Sequence, residues 1–364
     1  MSQRQVPGVL AVTYREGGTP PVDLPALLAA EGIDSAVVTG LDRVMVAAWG
    51  LAQDRPGETA PLLLSGTNWG EEGGVAPARI AGWLAAGSLQ ELGRLLPPFG
   101  ALGLADGGVR LATDSMGFRQ AFRADGDGWT AVSTSARLLG RLLGGGLDEE
   151  GVLLQSQLGW QLGQRTFFRG VTKLAPGEAV LLSSGASRSE LAPEPEPEPG
   201  SLSLDEGVAA AAALLRDILE RYLDEVPDPT LQLTGGQDSR LLLSAIPPSR
   251  RRGLKAMTLD APGARDAEVA GQLAVRYGLV HTVRSIGGVG TLSPQEWFTR
   301  VWDEASRHDC MADPIARAAT AWAEESFEQG HRLSGLGGEL GRGFYYTGWV
   351  RDRKSTRLNS SHRL

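Results

Sequence analysis

The chain has 364 residues, of which 42% are apolar and 21% charged, and carries a formal net charge of −8. That balance suits a globular protein of about two domains and excludes collagen, a disordered tail protein and a disulfide scaffold. The single cysteine, Cys310, closes no intramolecular disulfide and builds no Cys-rich zinc site; without a leader, an 18-residue apolar run or a basic surplus, a cytoplasmic protein with no membrane or nucleic-acid partner is expected.

The first half reads as mixed α+β. Ala36 to Thr39 and Val44 to Trp49 have strand composition around the Gly40–Arg43 turn. Ile80 to Leu96 has helical spacing and stops at Pro97-Pro98. Gly100 to Ala105, the turn Asp106-Gly107-Gly108 and Val109 to Thr113 form a predicted hairpin. Trp129 to Thr134 is a further strand, followed by a helix over 135–143. Alternating Pro and Glu from Pro193 to Pro199 cannot enter a core and reads as a semi-rigid linker over 193–202.

Beyond the linker, Ser203-x-x-Glu206 is a capping box, and apolar residues recur at helical spacing to Tyr222 before Pro227 and Pro229. A short strand over Thr230–Leu233 then leads through Gly-Gly to a predicted helix from Arg240 to Ile246. Lys255 to Leu259 is a strand and Asp266 to Tyr277 an amphipathic helix. This alternation predicts a parallel α/β sheet with nucleotide-type loops at its strand ends. A helix capped by Asp313, with Pro314 at its first position, is expected to run to Phe327.

The chemistry concentrates in Thr234-Gly235-Gly236-Gln237-Asp238-Ser239. Two glycines allow positive φ and close backbone approach, and the following helix aims its N–H groups and positive dipole end at an anion. Thr234 and Ser239 offer hydroxyls, and Asp238 is placed for Mg²⁺ beside phosphate oxygens. The competing reading is a plain strand-to-helix turn. No Gly-Lys-Ser/Thr follows, so this is no Walker loop. The four histidines are too dispersed for a metal pair, Gly126-x-Gly128-x-x-Ala131 falls in a hairpin, and neither a Gly-x-Ser-x-Gly elbow nor a His-Glu-x-x-His helix occurs.

The segment 234–239 resembles the Ser-Gly-Gly-x-Asp-Ser loop of the asparagine synthetase-type ATP pyrophosphatases. Five further stretches are similar to the same family in the same order. They are Phe99 through Asp114-Ser115-Met116-Gly117; Trp129 to Ser135; Leu174-Ala175-Pro176-Gly177-Glu178; Ala256 to Leu259 with Asp266-Ala267-Glu268 and His281; and Leu333-Ser334-Gly335-Leu336-Gly337-Gly338-Glu339-Leu340.

The resemblance implies an Ntn-type α+β sandwich over 1–192 and a Rossmann-like α/β ATP pyrophosphatase domain over 203–352. It implies ATP and Mg²⁺, with Thr234, Gly235, Gly236, Asp238 and Ser239 on the pyrophosphate and Asp238 and Glu339 on the metal. The implied reaction adenylates a small-molecule or peptide carboxylate, releases pyrophosphate and joins the acyl group to an amine. A delivery protein for a precursor peptide is a candidate partner. Two departures matter. Ser2 stands where glutamine-dependent members carry a nucleophilic cysteine, and a serine without an activating base is a poor substitute. The glycine-rich loop is one residue short and lacks the carboxylate before Glu339. Members without the cysteine include β-lactam synthetases and lasso-peptide macrolactam cyclases, and the Asp-Ser-Arg ending leans toward the cyclases. Asparagine formation from free ammonia and nucleotide binding without turnover are the alternatives.

Only three of the 35 basic residues are lysines, yet one of them, Lys354, falls in the tail together with Asn359, one of only two asparagines. Residues 353–364 therefore read as a scar of cloning or sequence assembly, and the second domain is expected to be incomplete.

Overall fold

The computed structural model describes residues 6–338 other than 19–20, 34–35, 42, 66–67, 71–72, 194–201, 310, 326 and 328–329. Ser2, Cys310, Glu339, nearly all of the Pro/Glu linker and the tail from Arg353 lie outside the described residues. The chain forms two compact units, Met1–Ser201 with Thr291–Ala319, and Leu202–Gly290 with Thr320–Leu364.

In chain order the first stretch holds β1 (Gly8–Tyr14), α1 (Leu24–Ala30), β2 (Val37–Leu41), β3 (Val44–Trp49), β4 (Leu62–Leu63), β5 (Trp69–Gly70) and β6 (Gly73–Gly74). Then come α2 (Pro77–Ala86), α3 (Leu89–Gly93), β7 (Gly100–Ala105), β8 (Gly108–Thr113), β9 (Phe122–Gly126) and β10 (Trp129–Ser133). They are followed by α4 (Ala136–Leu143), α5 (Glu149–Leu158), β11 (Val171–Lys173), β12 (Glu178–Ser183) and β13 (Ala186–Leu191). The rest is α6 (Leu204–Glu225), β14 (Thr230–Gln232), α7 (Gln237–Ala245), α8 (Pro248–Arg251), β15 (Lys255–Asp260), α9 (Asp266–Tyr277), β16 (Val280–Ser285), α10 (Pro294–Arg307), α11 (Pro314–Glu324) and β17 (Arg332–Leu333).

The first unit is a four-layer sandwich. One antiparallel sheet has the order β11-β9-β10-β1-β3-β2 and the other β13-β12-β8-β7-β4. Strand alternation assigns the layers: Val9 and Ala11 of β1 meet Val109, Leu111, Val180 and Leu182 between the sheets. Leu10 and Val12, on the opposite face of β1, pack under Leu24 and Leu28 of α1 and Leu138 and Leu139 of α4. Ile80 and Leu84 of α2 and Leu92 of α3 cover Ala101, Ala112 and Ala179 on the outer face of the second sheet. Burial on both faces explains why β1, GVLAVTY, shows no polar alternation.

The single helix expected over 80–96 is two helices. Gly87 takes the left-handed conformation at φ 69° and caps α2, and α3 starts again after Ser88. The buried Arg110 guanidinium donates to the Leu84 carbonyl at that helix end, and burial lowers its pKa. The Asp-x-x-Gly turn is a carboxylate cage. Fully buried Asp114 accepts N–H groups from Phe99 at 3.3 Å, Met116 at 3.0 Å, Phe118 at 2.9 Å and Arg119 at 2.7 Å. The Leu-x-Pro-Gly turn packs on it, with Gly177 N–H donating to the Asp114 carbonyl at 2.7 Å.

The segment Thr291–Ala319 belongs to the first unit rather than to the domain expected over 203–352. Its buried Asp309 accepts from Ser135 Oγ at 2.7 Å and from the Arg137 N–H at 3.2 Å, at the start of α4. Burial raises the Asp309 carboxyl pKa, against those hydrogen bonds and the Arg137 charge. Helix α10 carries its own sequence signal: Ser293 and Glu296 form a capping box with Pro294 at the first position.

The second unit is a four-stranded parallel sheet in the order β16-β15-β14-β17. Leu231, Leu233, Ala256 and Leu333 form its core with Leu219 of α6, Leu243 of α7 and Ala270 of α9. Among the described residues no helix is long and apolar enough to cross a membrane.

Candidate functional site

The strand order of the second unit reverses at β14. Successive strands β15 and β16 build outward on one side, and β17 is inserted on the other. In open parallel sheets such a reversal opens a crevice at the carboxyl ends of the two strands flanking it. The loop after β14 is Leu233 to Gly236, and the loop after β17 is Ser334 to Gly338, so both motif segments lie there.

Helix α7 begins at Gln237 with Gly236 as its N-cap, three residues before the expected start at Arg240. Asp238 and Ser239 therefore occupy the first helical turn, where an acidic side chain and a serine suit the dipole and the local hydrogen bonding. The N-cap residue of α7, Gly236, has no side chain to cap it, and the positive end of the helix dipole faces the loop.

The glycines act by size. Gly236 has φ −66°, and Gly235 is absent from the positive-φ residues, so neither uses the left-handed freedom expected of them. A Cβ on Gly235 would stand 2.9 Å from Asp266 Oδ1, which accepts the Gly235 N–H at 2.7 Å. Thr234 Oγ1 accepts the Gly236 N–H at 2.9 Å, and Ser239 Oγ accepts the Thr234 N–H at 3.1 Å. The two hydroxyls meet at 3.0 Å. Thr234 and Ser239 brace the loop here, and Ser239 is buried.

The second glycine loop closes over the same turn. A Cβ on Gly335 would come within 2.7 Å of the Ser239 nitrogen, and one on Gly338 within 2.5 Å of Asp238 Cγ. Two segments nearly a hundred residues apart thus meet backbone to side chain at Asp238. Behind them Thr258 Oγ1 donates to the Leu233 carbonyl at 2.6 Å and lies 2.8 Å from His281 Nε2. With the only hydroxyl proton spent on Leu233, His281 Nε2 is the donor, and burial lowers this imidazole's pKa toward the neutral form.

Asp238 and Asp266 put two carboxylates at the loop, against the helix dipole and the exposed Arg240, whose Nε donates to the Gly236 carbonyl at 3.3 Å. A phosphate group entering here needs a counter-cation. Carboxylate and hydroxyl oxygens fit Mg²⁺, which takes one or two carboxylates and completes its shell with phosphate oxygens. Glu339, the expected second ligand, is outside the described residues, and among those described no group of three or more His, Cys, Asp or Glu forms a ready-made metal cage.

The motif residues Thr234 to Ser239 share one turn, and Asp266, which lies outside that motif, joins them there. Its signal was an acidic residue opening the helix after the next strand.

No family model matches the chain, and no curated protein matches it. Among solved structures it is similar to one described as the allosteric regulatory enzyme of purine biosynthesis, with a TM-score of 0.28, 12% identity, and coverage of 78% of this chain and 75% of that one. It is similar also to the B. subtilis glutamine phosphoribosylpyrophosphate amidotransferase complexed with ADP and GMP, with a TM-score of 0.29, 10% identity, and coverage of 78% and 76%. Likenesses this slight decide neither fold nor function.

Proposed function

We propose that the second unit binds ATP through its pyrophosphate end and that the protein is an amide-forming ligase that adenylates a carboxylate. The observation that supports this reading is the convergence of two glycine loops on Asp238 at the strand-order reversal of a parallel sheet.

In the proposed reaction a carboxylate oxygen of the substrate attacks the α-phosphorus and the bond to the bridging oxygen breaks. Pyrophosphate leaves toward the start of α7, whose dipole receives its charge. An amine then attacks the acyl carbon, the carbon–oxygen bond to AMP breaks, and the nitrogen loses a proton. Asp238 is the residue that would hold Mg²⁺, and when bound that ion neutralises the leaving pyrophosphate. Asp266 fixes the Gly235 backbone, and Thr234 and Ser239 set the curvature of the turn. Ser2 offers no thiolate, so the amine is expected to come from ammonia or from the substrate itself; an amine in the substrate would make the product a lactam.

The test is AMP and pyrophosphate release from ATP and Mg²⁺ with candidate carboxylates, compared between the wild type and Asp238→Ala. Release lost in the variant supports the reading, and equal turnover in both ends it. Asparagine from aspartate and ammonium alone would favour the ammonia-dependent alternative. ATP-dependent thermal stabilisation with no AMP release would favour a binding protein.

A further inference from the structure

The first unit holds a cavity of about 590 Å³ that the adenylating reading does not use. It opens where Val6 and Pro7, the chain around Arg119, the start of α4 and the segment after α10 come together. Four guanidinium groups line it: Arg119, Arg137, Arg307 and Arg317.

Three of these charges are answered. Arg137 pairs with Glu31 and Asp309, while Arg307 and Arg317 share the buried Glu304. Arg119 is different. Its backbone N–H donates to Asp114, but among the described residues its guanidinium has no ion-pair partner; its Nη2 donates to the Pro7 carbonyl at 2.8 Å, and its Nε is buried without an acceptor. Desolvation lowers its pKa. A half-buried guanidinium without a counter-charge carries part of the cost of desolvation, and an anion in the adjoining cavity offsets it.

The walls define the rest of the ligand. Phe118 and Trp302 line the cavity although 53% and 63% exposed, and the buried Trp49 lines it too. One unanswered positive charge, in a cavity that Glu31, Asp303 and Asp309 also line, disfavours a multiply charged anion such as a phosphate. We propose that this cavity binds a small organic monocarboxylate, its carboxylate on Arg119 and its apolar body against Phe118 and Trp302. The cavity is lined mostly by polar and charged side chains, with Phe118 and Trp302 among its apolar residues, and its volume suits a compact ligand. This proposal stands whether or not the second unit turns over ATP.

The full chain is titrated with benzoate, with benzamide as the uncharged isostere and with inorganic phosphate, read by tryptophan fluorescence and by the melting temperature. Saturable benzoate binding is expected, with benzamide and phosphate weaker by about tenfold or more. Arg119→Met is expected to lose about tenfold or more in benzoate affinity, and Arg119→Lys to keep part of it. Trp302→Ala, at an exposed position where the ring stacks on the exposed Phe298, is expected to weaken benzoate binding while the protein still folds. This keeps the proposal testable if the Arg119 variants fail to fold. Absence of saturable benzoate binding at millimolar concentration overturns the proposal, as does equal binding of benzamide or phosphate. Undiminished binding in Arg119→Met or Trp302→Ala overturns it as well.

Discussion

Asp266 Oδ1 accepts the Gly235 N–H at 2.7 Å, so the first turn of α9 holds the loop that precedes α7. The bond joins two successive strand–helix connections of the parallel sheet, and it places a carboxylate where a glycine backbone can approach without a Cβ. The shape of the candidate anion site therefore depends on a residue that need not touch the anion.

Replacing Asp266 by Ala removes the acceptor of a charge-assisted hydrogen bond, worth about 1.5–3 kcal/mol. ATP-induced stabilisation, measured as a shift in melting temperature, is expected to fall correspondingly. Asp266→Asn keeps an oxygen acceptor and is expected to retain most of the effect. Equal loss in both variants would show that charge, rather than loop geometry, is what matters.

Gly335→Ala and Gly338→Ala each force a Cβ to within 3 Å of the Asp238–Ser239 turn. Overpacking of this kind costs about 1–3 kcal/mol, because backbone must shift to relieve it. Both are expected to lower the urea midpoint and to abolish nucleotide-dependent stabilisation. Gly271→Ala in α9 meets nothing within 4 Å and is the control, expected to stabilise by up to about 1 kcal/mol. A neutral Gly335→Ala would contradict the packing of the two loops.

Asp114→Ala leaves four N–H groups of the first unit without their acceptor. Each unsatisfied buried donor costs about 1–3 kcal/mol, so a loss of roughly 3 kcal/mol or more is expected from denaturant unfolding, even with partial relaxation. Asp114→Asn can present only one accepting oxygen and should recover part of it. A loss below about 1 kcal/mol would mean that water replaces the cage.

The His281 imidazole has its pKa lowered by burial, so the folded state favours the neutral ring. Its contribution to stability is complete above the unfolded value of about 6.5. It is lost as pH falls from there through the folded value, because the unfolded chain takes up its proton first. Burial lowers the pKa of His308 in the same direction. Melting temperature is expected to drop between pH 7.5 and 5.5, and to drop less in His281→Gln, whose amide can still donate to Thr258. An unchanged pH profile in the variant would remove His281 from this account.

What the sequence determined by itself is local. The capping box at Ser203, the hairpin turn at Asp106-Gly107 and the strand–loop–helix order from Thr230 onward are set by neighbours within a few residues, and their periodicity or turn chemistry shows it. Local signals also misled where two readings compete: Gln237, Asp238 and Ser239 look like loop, yet polar residues of this kind are at home in a first helical turn. Only the tertiary structure decided that β17 pairs beside β14, bringing Gly335 and Gly338 onto Asp238, and that Asp266 clamps Gly235. It alone joined Asp309 to Ser135, 174 residues away, beside a cavity with one unanswered arginine. Such contacts have no periodicity to betray them. They follow from which faces pack together and which charges remain without a partner once the core has closed.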